Sequence, residues 1–253
     1  MVSIDLNCDL GESYGAYTIG MDKEIIPYIT SANIACGYHA GDPLVMGQTV
    51  EMCQTHGVCV GAHPGLPDRM GFGRREMGIT PGEAEAYIIY QVGALWEFCK
   101  NAGIPLHHVK LHGALYNMAA KDYRLALAVC GALARTEPSV ILLALSGSQM
   151  IQAARETGIR YACEVFADRA YGSDGSLVPR SRPEAMIRDQ KLMVRRVIRM
   201  VKEGVTESVD GRDIPVQADS VCVHGDGEQA LLFVRELRKG LEQEGIEVRP
   251  FGQ

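Results

Sequence analysis

No stretch of this chain approaches the roughly 18 apolar residues that a membrane span needs. Basic residues are not in excess either: 25 Lys and Arg stand against 31 Asp and Glu, for a net charge of −6. That balance lacks the basic stripe of a nucleic-acid footprint. Eight cysteines are present but no Cys-x-x-Cys pair. In a chain of 253 residues they read as small buried hydrophobes in a reducing cytoplasm, not as a disulfide framework. The first five residues run straight into a strand-like pattern containing an acid, so no signal peptide is expected. Low-complexity tracts, Ser/Pro linkers and fixed-period repeats are missing too. These absences leave a cytoplasmic globular protein, expected to form one domain over 1–253, with a small molecule as its partner and neither nucleic acid nor membrane.

What is present alternates. Strand-like runs are expected near 3–8, 31–35, 58–62, 107–111, 140–145, 160–166, 219–223 and 246–248. Helices are expected between them at 43–56, 80–101, 121–136, 148–157, 183–203 and 228–243. Pro43 and Pro183 suit first helical turns, and Thr80 with Glu83 forms a capping box. Residues 204–218 read as a hairpin or connector. Strands alternating with helices of 10–20 residues imply a parallel sheet with right-handed crossovers. Seven or eight such units in this length favour a closed, irregular barrel over an open sheet. The glycine-rich, basic segments 64–80 and 168–183 follow strands and read as lids.

Six apolar runs end in polar clusters, and in a β/α protein such clusters converge on the face where chemistry is done. Four histidines, His39, His63, His112 and His224, each follow a strand closely; His56, His107 and His108 read as structural. Asp9, Glu12, Asp42, Glu164, Asp168 and Asp226 lie in the same clusters. One carboxylate with two histidines is a common divalent-metal set, and Asp9, His63 and His112 are the triad expected here. Acid–base work by the same groups without a metal is the competing reading, since no His-Glu-x-x-His signature occurs. Lys110 in an apolar segment suits substrate or phosphate contact. Arg169, Arg180 and Arg182 suit a carboxylate or phosphate clamp. The run at 225–230 matches G-x-G-x-x-A, with Glu247 about twenty residues on, but too little chain follows to build a dinucleotide fold. Gly225 and Gly227 still suit close approach to an anion. Cys36 beside His39 reads more as a packed residue than as a nucleophile.

In this order the clusters resemble the LamB/YcsF family. The motifs that carry the resemblance are Leu6-Asn7-Cys8-Asp9-Leu10-Gly11-Glu12, Asn33-Ile34-Ala35-Cys36-Gly37-Tyr38-His39-Ala40-Gly41-Asp42-Pro43 and Gly61-Ala62-His63-Pro64-Gly65. Val109-Lys110-Leu111-His112-Gly113-Ala114-Leu115-Tyr116-Asn117, the segment from Glu164 to Tyr171, Leu177 to Arg182, and Cys222-Val223-His224-Gly225-Asp226 complete them. The resemblance implies an irregular (β/α)7 TIM-like barrel of the glycoside hydrolase/deacetylase type. It implies ATP-dependent cleavage of the lactam of 5-oxo-L-proline to L-glutamate, the chain being the A subunit of a 5-oxoprolinase with partner subunits B and C. ATP, with Mg2+, would be the co-substrate, and a divalent metal on Asp9, His63 and His112 stays an option by analogy. On this reading Asp9, Glu12, His39, Asp42, Lys110, His112 and His224 are expected to be catalytic. Asn33, Arg169, Arg180, Arg182, Gly225 and Asp226 are expected to bind substrate or phosphate. The alternative is a stand-alone metal-dependent carbohydrate deacetylase or amidohydrolase.

Overall fold

A computed structural model describes residues 2–223 and 228–252. The strands are β1 (Ser3–Leu10), β2 (Ser31–Ala35), β3 (Cys59–His63), β4 (Leu106–Val109), β5 (Ile141–Leu145), β6 (Arg160–Phe166), β7 (Val205–Glu207), β8 (Asp213–Pro215), β9 (Ser220–Val223) and β10 (Glu247–Val248). The helices are α1 (Asp22–Ile25), α2 (Pro43–His56), α3 (Pro81–Ala102), α4 (Gly113–Lys121), α5 (Tyr123–Thr136), α6 (Gln149–Thr157), α7 (Gln190–Glu203) and α8 (Glu228–Gln243). Strands β1 to β6 and β9 pair in parallel, and β9 pairs back onto β1, so a seven-stranded barrel closes. It is irregular: the register slips between Val60 and Gly61, and the short β10 adds to the start of β1. The expected hairpin is the antiparallel pair β7–β8.

Caps set most helix limits where the sequence places them. Asp42 caps α2 and Gly57 ends it at φ 67°. Thr80 and Glu83 form the full capping box of α3, and Gly103 ends it in the left-handed region. Two expectations need correction. The helix expected over 121–136 is two helices, because Asp122 closes α4 and its carboxylate caps α5 through Arg124 N and Leu125 N. The helix expected over 183–203 begins only at Gln190, capped by Asp189; Pro183 opens a single 3-10 turn instead.

Strand alternation gives the barrel two unlike faces. Ile4, Leu6, Cys8 and Leu10 join the main apolar core, whereas Asp5, Asn7 and Asp9 bond to groups on other strands. Most barrels of this kind fill their interior with layers of Val, Ile and Leu. Here the interior is a hydrogen-bonded polar column. Asp5 accepts from Ser31, Thr30 and Ser220; Ser220 accepts from Asn7; Asn7 accepts from Asn33 and Lys110. One layer aligns Asp9, Asn33, Gly61 and His108 on adjacent strands. A Cβ on Gly61 would overlap the His108 ring, so that ring occupies the space a side chain at Gly61 would take. From there His108 Nε2 donates to Asn33 Oδ1 at 2.8 Å.

Candidate active site

The carboxyl ends of β1 to β4 bring together the groups picked out by the strand-end rule. Asp9 lies near the end of β1 and Glu12 just past it; His39 follows β2, His63 ends β3, and His112 is the N-cap of α4. Donor atoms of Glu12, His39, His63 and His112 all lie within 4.8 Å of one another, and all four residues are buried. The cluster therefore differs from the expected Asp9, His63 and His112 triad: Glu12 and His39 join the two histidines. Asp9 borders the set through its Oδ2, 3.3 Å from His63 Nε2.

Carbonyl oxygens fix the two facing rings. His63 Nδ1 lies 2.8 Å from Lys110 O, and His112 Nε2 lies 2.7 Å from Phe72 O. A carbonyl only accepts, so those nitrogens carry the hydrogens in the neutral rings. His63 Nε2 and His112 Nδ1 are then both bare, and they face each other at 3.0 Å. Asp9 Oδ2 flanks one of them and Glu12 Oε1, at 3.8 Å, the other. Two lone pairs and two carboxylates around one point suit a bound divalent cation. The donor set fits a cation that takes nitrogen and oxygen ligands.

His39 stacks on His112 with ring centroids 3.6 Å apart, and its Nε2 lies 3.3 Å from Glu12 Oε1. Burial, reinforced by the neighbouring imidazoles, holds His39 and His112 well below the usual histidine range. Both rings are thus neutral near pH 7, as bases and ligands must be.

Beneath the histidines, Lys110 is buried among carboxylates. Its Nζ lies 2.6 Å from Glu164 Oε1, 3.1 Å from Asp9 Oδ1 and 3.0 Å from Asn7 Oδ1. Burial alone would lower this ammonium; Asp9, Cys222 and Glu164 outweigh it and raise it well above its ordinary value. Lys110 is therefore a charge that balances Asp9 and Glu164, and it also lines the cavity described below. Asn33, expected to bind substrate or phosphate, is wholly buried and donates to Asp9 Oδ1 and Asn7 Oδ1, so it holds Asp9. Asp42 lies outside the cluster, where its carboxylate caps α2 and accepts from Gly15 N at 2.8 Å. Arg182 is exposed, pairs with Glu184 and does not line the cavity. Glu247 registers with Ser3 at the opposite end of the barrel, away from any nucleotide at this mouth. His224, Gly225 and Asp226 lie outside the described residues.

The segment 64–80 packs over the histidines. Phe72 adopts φ 54°, rare for a bulky residue, and presents its carbonyl to His112. A Cβ on Gly73 would come within 2.7 Å of His39 Cβ and 2.9 Å of His112 Cδ2. Arg69 ties the segment to Gly37 O and Gly41 O, and Arg75 pairs with Asp68. Cys36 is buried, and burial pushes its thiol up to about 12, which leaves it a packing residue.

A cavity of about 890 Å³ opens beside the cluster, with Asp9, His63 and His112 on its wall. Arg169 and Arg180 line it as well. Arg169 is buried, and burial together with nearby Arg180 lowers its guanidinium to about 10. Two features of the site escape the strand-end rule. Tyr116 donates to Glu164 Oε2 at 2.6 Å, and Ser146-Gly147-Ser148 lie on the cavity wall. The latter follow a strand and open a helix like the other clusters, but have no ionisable side chain to draw the eye.

The LamB/YcsF family model matches residues 4–253. Over 250 residues the chain is 56% identical to a protein of Clostridium beijerinckii named as the A subunit of 5-oxoprolinase, covering 99% of this chain and 98% of that one. A protein of Bacillus subtilis with the same name is 54% identical over 248 residues, covering 98% and 96%. The crystal structure of a lactam utilization protein from Thermus thermophilus superposes with a TM-score of 0.93 at 47% identity, covering 98% of this chain and all of that one.

Proposed function

This chain belongs to the LamB/YcsF family, and from that membership we propose that it is the A subunit of a 5-oxoprolinase. It takes part, with partner subunits B and C in the cytoplasm, in the ATP-dependent opening of 5-oxo-L-proline to L-glutamate. The observation that carries the reading is the pair of facing imidazole nitrogens, set between Asp9 and Glu12 on the wall of a large cavity.

A five-membered lactam is a stable amide, and its carbonyl oxygen needs activation before water can add. Phosphorylation of that oxygen by ATP, with Mg2+, supplies it. Water then adds to the carbon, the carbon–nitrogen bond breaks as the nitrogen takes up a proton, and a second water releases phosphate from the acyl phosphate so formed. Asp9 is suited to aim the water: Lys110 and Asn33 hold its Oδ1, while Oδ2 turns toward His63. His112, neutral and on the cavity wall, takes the proton from water and returns it to the leaving nitrogen. His39 and Glu12 orient His112 from behind. Arg180 is placed for the substrate carboxylate. Alternatively, a divalent cation held by Glu12, His63 and His112 would act as a Lewis acid toward a bound carbonyl, in place of proton transfer by His112.

Mixing the chain with subunits B and C tests the reading: 5-oxoproline-dependent release of glutamate and ADP is expected. No glutamate in any combination overturns it. Full activity of His112→Ala and Asp9→Ala would reduce the chain to a scaffold. The four-donor cluster also favours a second reading, a stand-alone metal-dependent deacetylase or amidohydrolase. That reading requires turnover without ATP, and protein that is metal-free as purified and inert without ATP sinks it.

A further inference from the structure

We propose that His108 is a positioning residue: it fixes the Asn33 amide, and Asn33 in turn holds Asp9 Oδ1 while Oδ2 faces His63. The inference rests on the proposed function for what Asp9 does, but not for how Asp9 is held. The sequence reads His108 as structural, and only the closed barrel connects it to the cavity wall.

The two charged ends of this network place its hydrogens. Lys110 Nζ can only donate, so the Asn7 atom it meets at 3.0 Å is the amide oxygen. The Asp9 carboxylate, beside that ammonium, can only accept. Asn33 Nδ2 spends its two hydrogens on these acceptors, one on Asn7 Oδ1 at 2.8 Å and one on Asp9 Oδ1 at 2.9 Å. Asn33 Oδ1 is then left to accept, and the group it meets at 2.8 Å is His108 Nε2. That nitrogen must carry the hydrogen. In the neutral ring His108 Nδ1 is bare, and His107 Nδ1, 3.1 Å away, donates to it. The order of donation runs from His107 through His108 and Asn33 to Asp9. Turning the Asn33 amide over would set its oxygen against two acceptors, and the His108 donor is what forbids it.

The barrel gives up regular packing to seat this ring. A Cβ on Gly61 would lie 2.1 Å from His108 Nε2, so β3 carries a glycine in its interior, where glycine weakens a strand. Pairing of β3 with β4 slips at the same place, between Val60 and Gly61. Phe251 closes on the ring edge-on, with centroids 5.3 Å apart. Filling space requires none of this, since Val, Ile and Leu fill most barrels. A wholly buried imidazole is costly unless its nitrogens are used, and here they are used toward Asp9.

His108→Gln and His108→Met test the proposal, because both fill similar space and only glutamine can donate to Asn33. In the complex with subunits B and C, His108→Met should lower kcat about 10- to 100-fold and leave KM within about 3-fold, as a misplaced catalytic group does. His108→Gln should restore most of the loss. Combined with Asn33→Ala, His108→Met should cost little more than Asn33→Ala alone, since both act through one bond. Equal kcat in the glutamine and methionine variants, a change confined to KM, or losses that multiply overturns the proposal. Nitrogen-15 NMR of the free wild-type chain decides it should the variants fold poorly: His108 Nε2 should carry the hydrogen and Nδ1 be bare, and the reverse overturns it. A hydrogen on Nε2, with no glutamate released by any reconstituted complex, leaves the network standing and counts against the lactam reading alone.

Discussion

Asp5 shows how far single residues here depart from their behaviour in water. It is sealed at the base of the polar column with the hydroxyls of Thr30, Ser31 and Ser220 around it. Burial outweighs those hydrogen bonds and pushes its carboxyl up to about 6 from 3.8. The folded chain therefore holds this proton more tightly than the unfolded one. The stability it contributes is complete below about pH 3.8 and is lost as pH rises through about 6. Urea unfolding of wild type and Asp5→Asn should diverge by roughly 3 kcal/mol between about pH 4 and pH 7, in favour of the variant. A constant difference across that range would mean that Asp5 titrates like an exposed carboxylate. Lys110 poses the opposite case at the same scale. A lysine in an apolar run signals use of some kind, but only the closed barrel shows that it is matched to Asp9 and Glu164.

Helices and loops divide into those whose ends are written locally and those whose ends are not. Asp42, Gly57, Thr80 and Gly103 are local signals, and α2 and α3 stop where they say. Asp122 and Asp189 are equally good caps, yet the apolar pattern around Asp122 runs on without a break, and Pro183 suits a 3-10 turn as well as a helix start. The same distinction bears on Asp42, which was expected to be catalytic and which caps α2. Asp42→Ala should cost about 1–2 kcal/mol, the usual worth of an N-cap. In a chain this long that lowers Tm by about 2–4 °C per kcal/mol. Activity per folded molecule should be retained, and thermal melts beside turnover measurements will check it. Lost turnover at unchanged Tm would return Asp42 to the catalytic set. The strand-end rule located Asp9, Glu12, His39, His63 and His112 because each is ionisable and close to its strand. It passed over Ser146-Gly147-Ser148, which line the cavity but carry no ionisable side chain. The Asp5, Asn7 and Asp9 alternation was visible in one strand, but its partners Ser31, Asn33 and Ser220 come from others and meet it only on closure.

At the scale of the molecule, closure of β9 onto β1 makes the barrel and its site a single object. A cation bound by the Glu12, His39, His63 and His112 cluster would favour the folded state by mass action, by about 2.7 kcal/mol at a hundredfold excess over Kd. Differential scanning calorimetry with Zn2+, Mn2+ or Co2+ should raise Tm in wild type and not in His63→Ala. If no divalent ion moves Tm, the cluster is not a cation site. The layer of Asp9, Asn33, Gly61 and His108 has a further consequence, one for inheritance. Because the His108 ring fills the space of a side chain at Gly61, neither position can drift alone: a larger residue at the first demands a smaller one at the second, and Asn33 then loses its donor. Lineages descending from this sequence should therefore keep both residues or exchange both together, and a library randomised at the two sites should recover that correlation among its folded members.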